Sequence, residues 1–364
     1  MASCHYRDDL LVGSRRGFTL VEMLVAVTVF LMILVVVFQV TKATTSIWKN
    51  SSGKIAAFAE ARGAFEAMTR TISQATLNTY VDYEDSSGAF RDPGAIGTFV
   101  PTKYARRSDL QFLCGKGLLS GSGLANPITQ SLFFQAPMGY SRSAGYKGMQ
   151  GMLNACGFFV YYGTDMAKPS FLPGSLPNRN RFRLMQFLQP TENLSIYDSS
   201  VTGGSTVWNN KDWFIKALAA DVASTSPTSV SQIADNVVAL IIAPKNSASD
   251  DAASPANAIA TYDYNTRDPD PAKAYSLNQL PAVIQVVMAV IDDASAAKLG
   301  DSATPPNLTA GTNFSNPTDL KTNLAILEKN LSALPGNAAG NTIPLRFEFF
   351  TTEVAIPAAK WSAN

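Results

Sequence analysis

The chain has 364 residues, of which 46% are hydrophobic and 16% are charged, and its formal net charge is +1 at pH 7. This composition excludes a wholly disordered chain, which would combine low hydrophobicity with high net charge, and it disfavours a nucleic-acid-binding domain, which would be strongly basic. A chain of this length can bury a sizeable core.

The first element is a leader, residues 1–17, that ends with Arg15, Arg16 and Gly17. It is followed by an apolar run of 23 residues, Phe18–Val40, in which Glu22 is the sole ionisable residue. With a rise of about 1.5 Å per residue, a helix of this length spans the roughly 30 Å hydrocarbon layer of a bilayer. The run therefore predicts a transmembrane helix, and a carboxylate inside it marks a candidate functional site.

Two simpler interpretations of this run leave Glu22 unexplained. A signal peptide has an apolar core of about 7–15 residues and a small-residue cleavage site, whereas Gln39–Lys42 offers no such site. A plain single-pass anchor, oriented by the arginines, explains neither Glu22 nor the Gly17–Phe18 junction. A cut after Gly17 explains both, because the new amine of Phe18 lies one helical turn from Glu22 and can pair with that carboxylate in the same or a neighbouring copy.

The stretch RRGFTLVEMLVAV, Arg15–Val27, resembles the cleavage and N-methylation motif of type IV prepilins and type II secretion pseudopilins. The resemblance implies that a prepilin peptidase cuts between Gly17 and Phe18 and methylates the new Phe18 amine. It implies that Glu22 neutralises the amine of an adjacent subunit during assembly. It also implies a bacterial inner-membrane protein with a cytoplasmic N-terminus and a periplasmic C-terminal domain, which can enter a filament.

Four further stretches resemble a narrower relative, the pseudopilin-like C protein of a verrucomicrobial gene cassette. They are Ile72–Asp85, Asn154–Gly163, Arg181–Tyr197 and Leu280–Ala296. The last of them is also similar to J-type minor pseudopilins of type II secretion. Together with the elements below, the resemblance implies a pilin-like α+β fold, in which a long N-terminal helix packs on a mainly antiparallel sheet.

Residues 41–80 predict an amphipathic continuation of the membrane helix. Apolar residues recur at helical spacing, as Ile55, Phe58, Phe65, Met68 and Ile72. Ser51–Gly53 interrupts the pattern and predicts a kink or weak point. We expect the apolar stripe to be buried against a sheet.

Residues 81–364 predict an extracytoplasmic, β-rich domain, with strands separated by Gly, Pro, Asn and Ser. The predicted strands are Asp109–Cys114, Ser131–Gln135, Ala155–Tyr162, Arg181–Leu188, Val237–Ala243, Ala282–Ile291 and Leu345–Val354, and the predicted helices are Trp208–Ala219 and Thr318–Leu334. Arg181–Leu188 alternates basic with apolar residues, as a half-exposed strand does. Val237–Ala243 and Ala282–Ile291 are almost continuously apolar, which predicts central strands covered on both faces.

Side chains that carry chemistry are sparse. The one histidine, His5, belongs to the leader, so the processed chain cannot build a Ser-His-Asp, Cys-His or His-ligated zinc site. The sequence therefore predicts neither an enzyme nor a cofactor. Cys114 and Cys156 lie in apolar, strand-like stretches, and two interpretations stay open: a disulfide in an oxidising periplasm, or two separate buried thiols.

One oxygen-rich stretch is a candidate calcium site. Asp263, Asn265, Asp268 and Asp270 lie close together in sequence. Their spacing does not follow the EF-hand pattern, and a plain surface turn is the alternative. No other metal site is predicted.

Three classes of function remain. The leading one is a structural subunit, a low-copy (minor) pseudopilin or pilin-like protein whose partners are the prepilin peptidase, other pilin-like subunits and the inner membrane. No nucleic acid is expected, because removing the leader's three basic and two acidic residues from the 29 and 28 leaves 26 of each sign. The alternative is a membrane-anchored binding or adhesion module displayed on such a filament. An anchored hydrolase comes third, since histidine is missing.

Overall fold

The computed structural model describes residues 17, 19–88, 91, 99–146, 148–166, 179–197, 211–224, 226–245, 261–268, 270, 276–314, 319–335 and 342–359. The chain divides into two compact units, Met1–Ser52 and Gly53–Asn364. Its helices are α1 (Leu20–Ile72), α2 (Asp212–Val222), α3 (Asp293–Lys298) and α4 (Leu320–Ser332), with 3-10 turns at Ala144–Tyr146, Thr191–Asn193 and Ser195–Tyr197.

The strands that the structure describes all belong to the second unit. They are β1 (Tyr80–Glu84), β2 (Lys103–Arg107), β3 (Leu113–Lys116), β4 (Pro127–Ala136), β5 (Asn154–Gly163), β6 (Arg181–Gln189), β7 (Val230–Asp235), β8 (Val237–Lys245), β9 (Tyr264–Asn265), β10 (Val283–Ile291), β11 (Leu334–Pro335), β12 (Thr342–Ile343) and β13 (Phe347–Ala355). Each pairing between these strands is antiparallel. A long apolar N-terminal helix followed by a mainly antiparallel domain confirms the predicted α+β fold.

Helix α1 differs from its prediction in two places. It is continuous across Gly53, where an interruption was predicted, because a single glycine costs a helix only about 1 kcal/mol. It ends at Ile72 and not near Tyr80, because Tyr80 begins β1. The first unit contains the apolar part of this helix, whose side chains from Leu20 to Trp48 are exposed.

In the second unit, the remainder of α1 buries one face. Phe58, Phe65, Met68 and Ile72 are buried, as their spacing predicted, and the side chain of Ile55 lies outside the described residues. The Phe65 ring packs 5.9 Å from that of Phe350 in β13. This part of the helix is therefore held by the core.

The larger sheet has six strands in the order β7-β6-β5-β4-β3-β9. Its centre is aromatic: Phe133 of β4 stacks on Phe214 of α2 at 3.9 Å and meets Trp213 edge-on at 6.4 Å. Directly across from Phe133 in β5 is Gly157, where any Cβ would lie 2.3 Å from Phe133 Cδ1. Glycine at this position leaves room for the Phe133 ring.

The smaller sheet has three strands in the order β13-β10-β8. β10 is central, as predicted, whereas β8 lies at the edge of the sheet although its side chains are buried from Val237 to Ala243. Strand β4 lies against this edge of β8. The Leu240 N–H donates to Thr129 Oγ1 at 2.9 Å, and the Ile242 N–H donates to Gln130 Oε1, so side chains of β4 satisfy the edge of β8.

Strand β6 corrects the expectation of a half-exposed strand. Arg183 is 4% exposed. Its guanidinium contacts Gly163 O and Asp165 Oδ1, and its Nε lies 3.7 Å from Asp235 Oδ1. The alternating pattern of β6 did not predict that Arg183 contacts Asp165 and Asp235, because Asp165 follows β5 and Asp235 ends β7.

Candidate functional site at the start of the apolar helix

The residues predicted for processing and assembly are only partly described by the structure. Gly17 and Glu22 are described, whereas Arg15, Arg16 and Phe18 lie outside the described residues. Helix α1 begins at Leu20, so Glu22 occupies the third position of its first turn. The geometry of this site is therefore defined by the residues around Glu22.

Thr19 and Glu22 form a reciprocal cap on helix α1. The Thr19 N–H and hydroxyl donate to Glu22 Oε2 at 2.9 and 3.0 Å. The Glu22 N–H in turn lies 3.3 Å from Thr19 Oγ1 and donates to it. This is the capping box, in which two backbone N–H groups that the first helical turn leaves without a partner are satisfied by side chains.

The capping box changes how Glu22 is explained. The sequence interpretation treated the carboxylate as lacking a partner, but the structure gives it two donors from Thr19. The signal was present in the sequence as Thr-Leu-Val-Glu before an apolar run, which is the pattern of a capping box. These bonds offset part of the cost of placing a carboxylate at the edge of an apolar helix.

Gly17 has open surroundings. A Cβ built at this residue would have no heavy atom within 4 Å in the described part of the chain. No described residue therefore requires glycine at this position.

The apolar part of α1 is long enough to cross a membrane. Leu20–Trp48, 29 residues, meets that criterion by length and composition. Glu22 lies in its first turn, so the capped end of the helix is also the end that carries the sole acid of the predicted apolar run.

These observations agree with a comparison against protein families, in which the matched region is residues 13–38. The chain carries the prokaryotic N-terminal methylation motif. The matched residues include the Gly17–Phe18 junction, Thr19 and Glu22. The match covers the N-terminal segment alone, and there it supports the resemblance to type IV prepilins and pseudopilins. No curated protein and no solved structure matches the chain.

Cys114 and Cys156 are free, buried thiols, which corrects the disulfide interpretation. Cys114 of β3 pairs with Leu132, and Cys156 of β5 pairs with Phe134, so the whole of β4 separates them. Two inter-strand spacings amount to about 9.5 Å, beyond the roughly 4.4–6.8 Å between Cα atoms that a disulfide allows. Burial raises the pKa of the Cys156 thiol to about 12 and also raises the pKa of the Cys114 thiol.

The calcium candidate is a set of structural hydrogen bonds. Asp263 Oδ1 accepts the Lys116 N–H at 3.1 Å, and Asn265 Oδ1 accepts from Gln111 Nε2 at 3.0 Å. Asp268 Oδ1 accepts the Asp270 N–H at 3.2 Å. Within the described ranges, no three Asp, Glu, His or Cys side chains converge as a metal site. These oxygens accept from the backbone N–H groups of Lys116 and Asp270 and from the side-chain amide of Gln111, which holds β9 and the turn after it in place.

Proposed function

We propose that this protein is a low-copy, pilin-like structural subunit of a type II secretion or type IV pilus-like assembly. A prepilin peptidase removes residues 1–17 and methylates the amine of Phe18. The processed subunit is held in the bacterial inner membrane by the apolar part of α1, with Gly53–Asn364 in the periplasm, and it enters a filament through its N-terminal helix. The observation that carries this proposal is the capped Glu22 inside the matched methylation motif.

The chemistry of assembly follows from the charges that the cut creates. The new amine of Phe18 is a cation at the membrane boundary, and Glu22 is the sole acid of the apolar run. A subunit that docks its amine against the Glu22 of its neighbour neutralises both charges, which are costly in a low-dielectric environment. Thr19 donates to only one of the two carboxylate oxygens, Oε2, so the cap and an amine can share the same carboxylate.

The size of the second unit supports a low-copy position. The processed chain has 347 residues, since the leader accounts for 17 of the 364. The shaft of a filament is built from many close-packed subunits, and a bulky domain is accommodated more easily at or near a tip. Retention of Glu22 argues against the extreme tip, because the leading subunit has no neighbour ahead of it whose amine Glu22 could engage.

The test is the intact mass of the full chain after co-expression with and without a prepilin peptidase. We expect loss of Met1–Gly17 and gain of one methyl group only when the peptidase is present. Gly17→Val is the informative variant: no described residue lies within 4 Å of a Cβ at Gly17, so we expect the described fold to tolerate the substitution and a block of cleavage to report on the peptidase. Ser14→Ala is the matched control in the leader and is cut normally. An uncut wild-type chain would overturn the proposal.

A further inference from the structure

Strands β1 and β2 form a two-stranded ribbon that is separate from the two larger sheets. Within the described part of the chain, each of these strands pairs with the other alone. An isolated two-stranded ribbon is marginally stable in water, because it lacks the hydrophobic face that a larger sheet buries. Contacts between side chains on neighbouring strands are therefore an important source of its stability.

Tyr83 and Tyr104 make such a contact. The register of the ribbon places them directly opposite each other. Their ring centroids lie 4.4 Å apart with 35° between the ring planes, and the Tyr104 hydroxyl donates to the Tyr83 hydroxyl at 2.6 Å. Because the two hydroxyl oxygens are closer together than the two ring centres, the rings lean towards each other at their hydroxyl ends. The ring carbons beside the two hydroxyls are therefore brought together.

Both rings are accessible from solvent. Tyr104 is 65% exposed and Tyr83 is 36% exposed. Tyr80, which is 39% exposed, precedes Tyr83 in β1, and the alternation of side chains along a strand places it on the opposite face of the ribbon. An oxidant that approaches the face of Tyr104 therefore meets two phenols side by side.

The arrangement of these phenols matches the product of phenol coupling. When each of two tyrosines loses one electron and one proton, the two phenoxyl radicals join through a bond between the carbons beside their hydroxyls. The hydrogen atoms on those carbons then move to the oxygens, which restores both aromatic rings and both hydroxyls. In the product the hydroxyls flank the new carbon–carbon bond. Groups that a fold already holds in the geometry of the product react far faster than groups that must meet by diffusion.

We propose that Tyr83 and Tyr104 are a site of oxidative cross-linking, at which a dityrosine bond closes the ribbon. The oxidant is hydrogen peroxide, acting through a peroxidase that takes one electron from each phenol. One peroxide molecule accepts the two electrons and two protons and leaves as two water molecules, so the protein loses two hydrogen atoms. The bond joins residue 83 to residue 104 and restricts the unfolded chain between them, which stabilises the ribbon.

The test uses the full chain in detergent, treated with a peroxidase and one equivalent of hydrogen peroxide at a low protein concentration that disfavours links between molecules. The monomer is isolated on a denaturing gel and digested with trypsin. In untreated protein, trypsin releases residues 71–91, which contain Tyr83, and residues 104–106, which contain Tyr104, as separate peptides. We expect treatment to join these two peptides with the loss of two hydrogen atoms, as the most abundant tyrosine–tyrosine link.

Variants then locate the bond, since residues 71–91 contain both Tyr80 and Tyr83. Tyr83→Phe and Tyr104→Phe each keep a ring but remove the hydroxyl from which the radical forms, and each should lower the yield of the joined peptides at least about tenfold. Tyr80→Phe is the matched control, because Tyr80 lies in the same strand with similar exposure but on the opposite face. It should be cross-linked as wild type.

A second measurement tests the effect of the bond on stability. The melting temperature should rise in the cross-linked monomer, whereas peroxide-treated Tyr104→Phe should melt as untreated Tyr104→Phe does. The proposal is overturned if residues 71–91 and 104–106 are not joined in the treated monomer. It is also overturned if Tyr104 couples mainly between molecules, or if Tyr83→Phe is cross-linked as efficiently as wild type.

Discussion

Thr19 and Glu22 cap each other at the first turn of the apolar helix, through Thr19 N–H to Glu22 Oε2 at 2.9 Å and Glu22 N–H to Thr19 Oγ1 at 3.3 Å. Glu22 therefore has a structural role within its own chain, in addition to the intersubunit role that the methylation motif suggests. The two roles depend on different properties of the side chain. The cap requires an acceptor oxygen, whereas docking of an amine requires negative charge.

Substitution of Glu22 separates these roles. Glu22→Gln keeps an oxygen for the Thr19 N–H but removes the charge, and Glu22→Ala removes both. We expect both variants to be cut after Gly17 and both to lose assembly, measured by cross-linking between neighbouring subunits in membranes. Thr19→Ala is the control that keeps the charge and weakens the cap by about 1 kcal/mol, and it should still assemble. Normal cross-linking of Glu22→Gln would show that the charge is not used.

Gly157→Ala tests the packing of the aromatic centre. The added Cβ would lie 2.3 Å from Phe133 Cδ1 and 3.0 Å from Leu132 O, so the Phe133 ring or the strand has to move. We expect a loss of about 1–3 kcal/mol in the free energy of unfolding, seen as a lower melting temperature. Gly63→Ala is the matched control, because Gly63 is helical with no described residue within 4 Å of its Cβ position, and it should stabilise by about 0.5–1 kcal/mol. Equal melting of the two variants would contradict the described packing.

Thr129→Val tests the link between the two sheets. The substitution removes the oxygen that accepts the Leu240 N–H and leaves that buried donor unsatisfied, at a cost of about 1–3 kcal/mol. Thr129→Ser is the control: it keeps the hydroxyl and relaxes a β-branched residue held at φ 60°. Chemical denaturation followed by circular dichroism should place the midpoint of Thr129→Ser at or above that of wild type and the midpoint of Thr129→Val below it. Identical midpoints would mean that the Leu240 bond contributes nothing.

We expect Cys114 and Cys156 to be unreactive towards alkylating reagents in the folded protein. Cys4 belongs to the leader that we propose is removed, and burial keeps the Cys114 and Cys156 thiols protonated. Because the thiolate is the reactive form, we expect no alkylation by iodoacetamide at pH 8 and two additions after denaturation, counted by intact mass. One addition in the native state, or a mass that shows a disulfide, would contradict the described sheet.

The same thiols predict how stability depends on pH. In the unfolded chain a thiol loses its proton near its ordinary pKa of 9.0, whereas burial raises the pKa of Cys156 to about 12 in the folded chain. The folded state therefore binds more protons between these values, so stability falls as pH rises from 9 towards 12. Denaturation midpoints at pH 7 and pH 10 should show this fall. It should be smaller in Cys156→Ala, and an unchanged fall in that variant would assign it to other groups.

The sequence predicted correctly those elements that have a local pattern of apolar residues. The almost continuous apolar runs predicted β8 and β10 close to their observed bounds, and the stripe of Phe58, Phe65 and Met68 predicted the buried face of α1. It did not recover the β1–β2 ribbon or β9. These strands are short and polar, and they are defined by their partners and not by an apolar pattern.

The sequence by itself determined the N-terminal segment. A membrane-length apolar run, a single acid and the Gly17–Phe18 junction are matters of composition and spacing along one helix, and the methylation motif was readable without any fold. The tertiary structure alone decided that β4 keeps Cys114 from Cys156 and that Asp165 and Asp235 contact the buried Arg183. These relations join residues far apart in the chain, and their distances depend on which strands become neighbours in the sheet, which a local pattern does not specify.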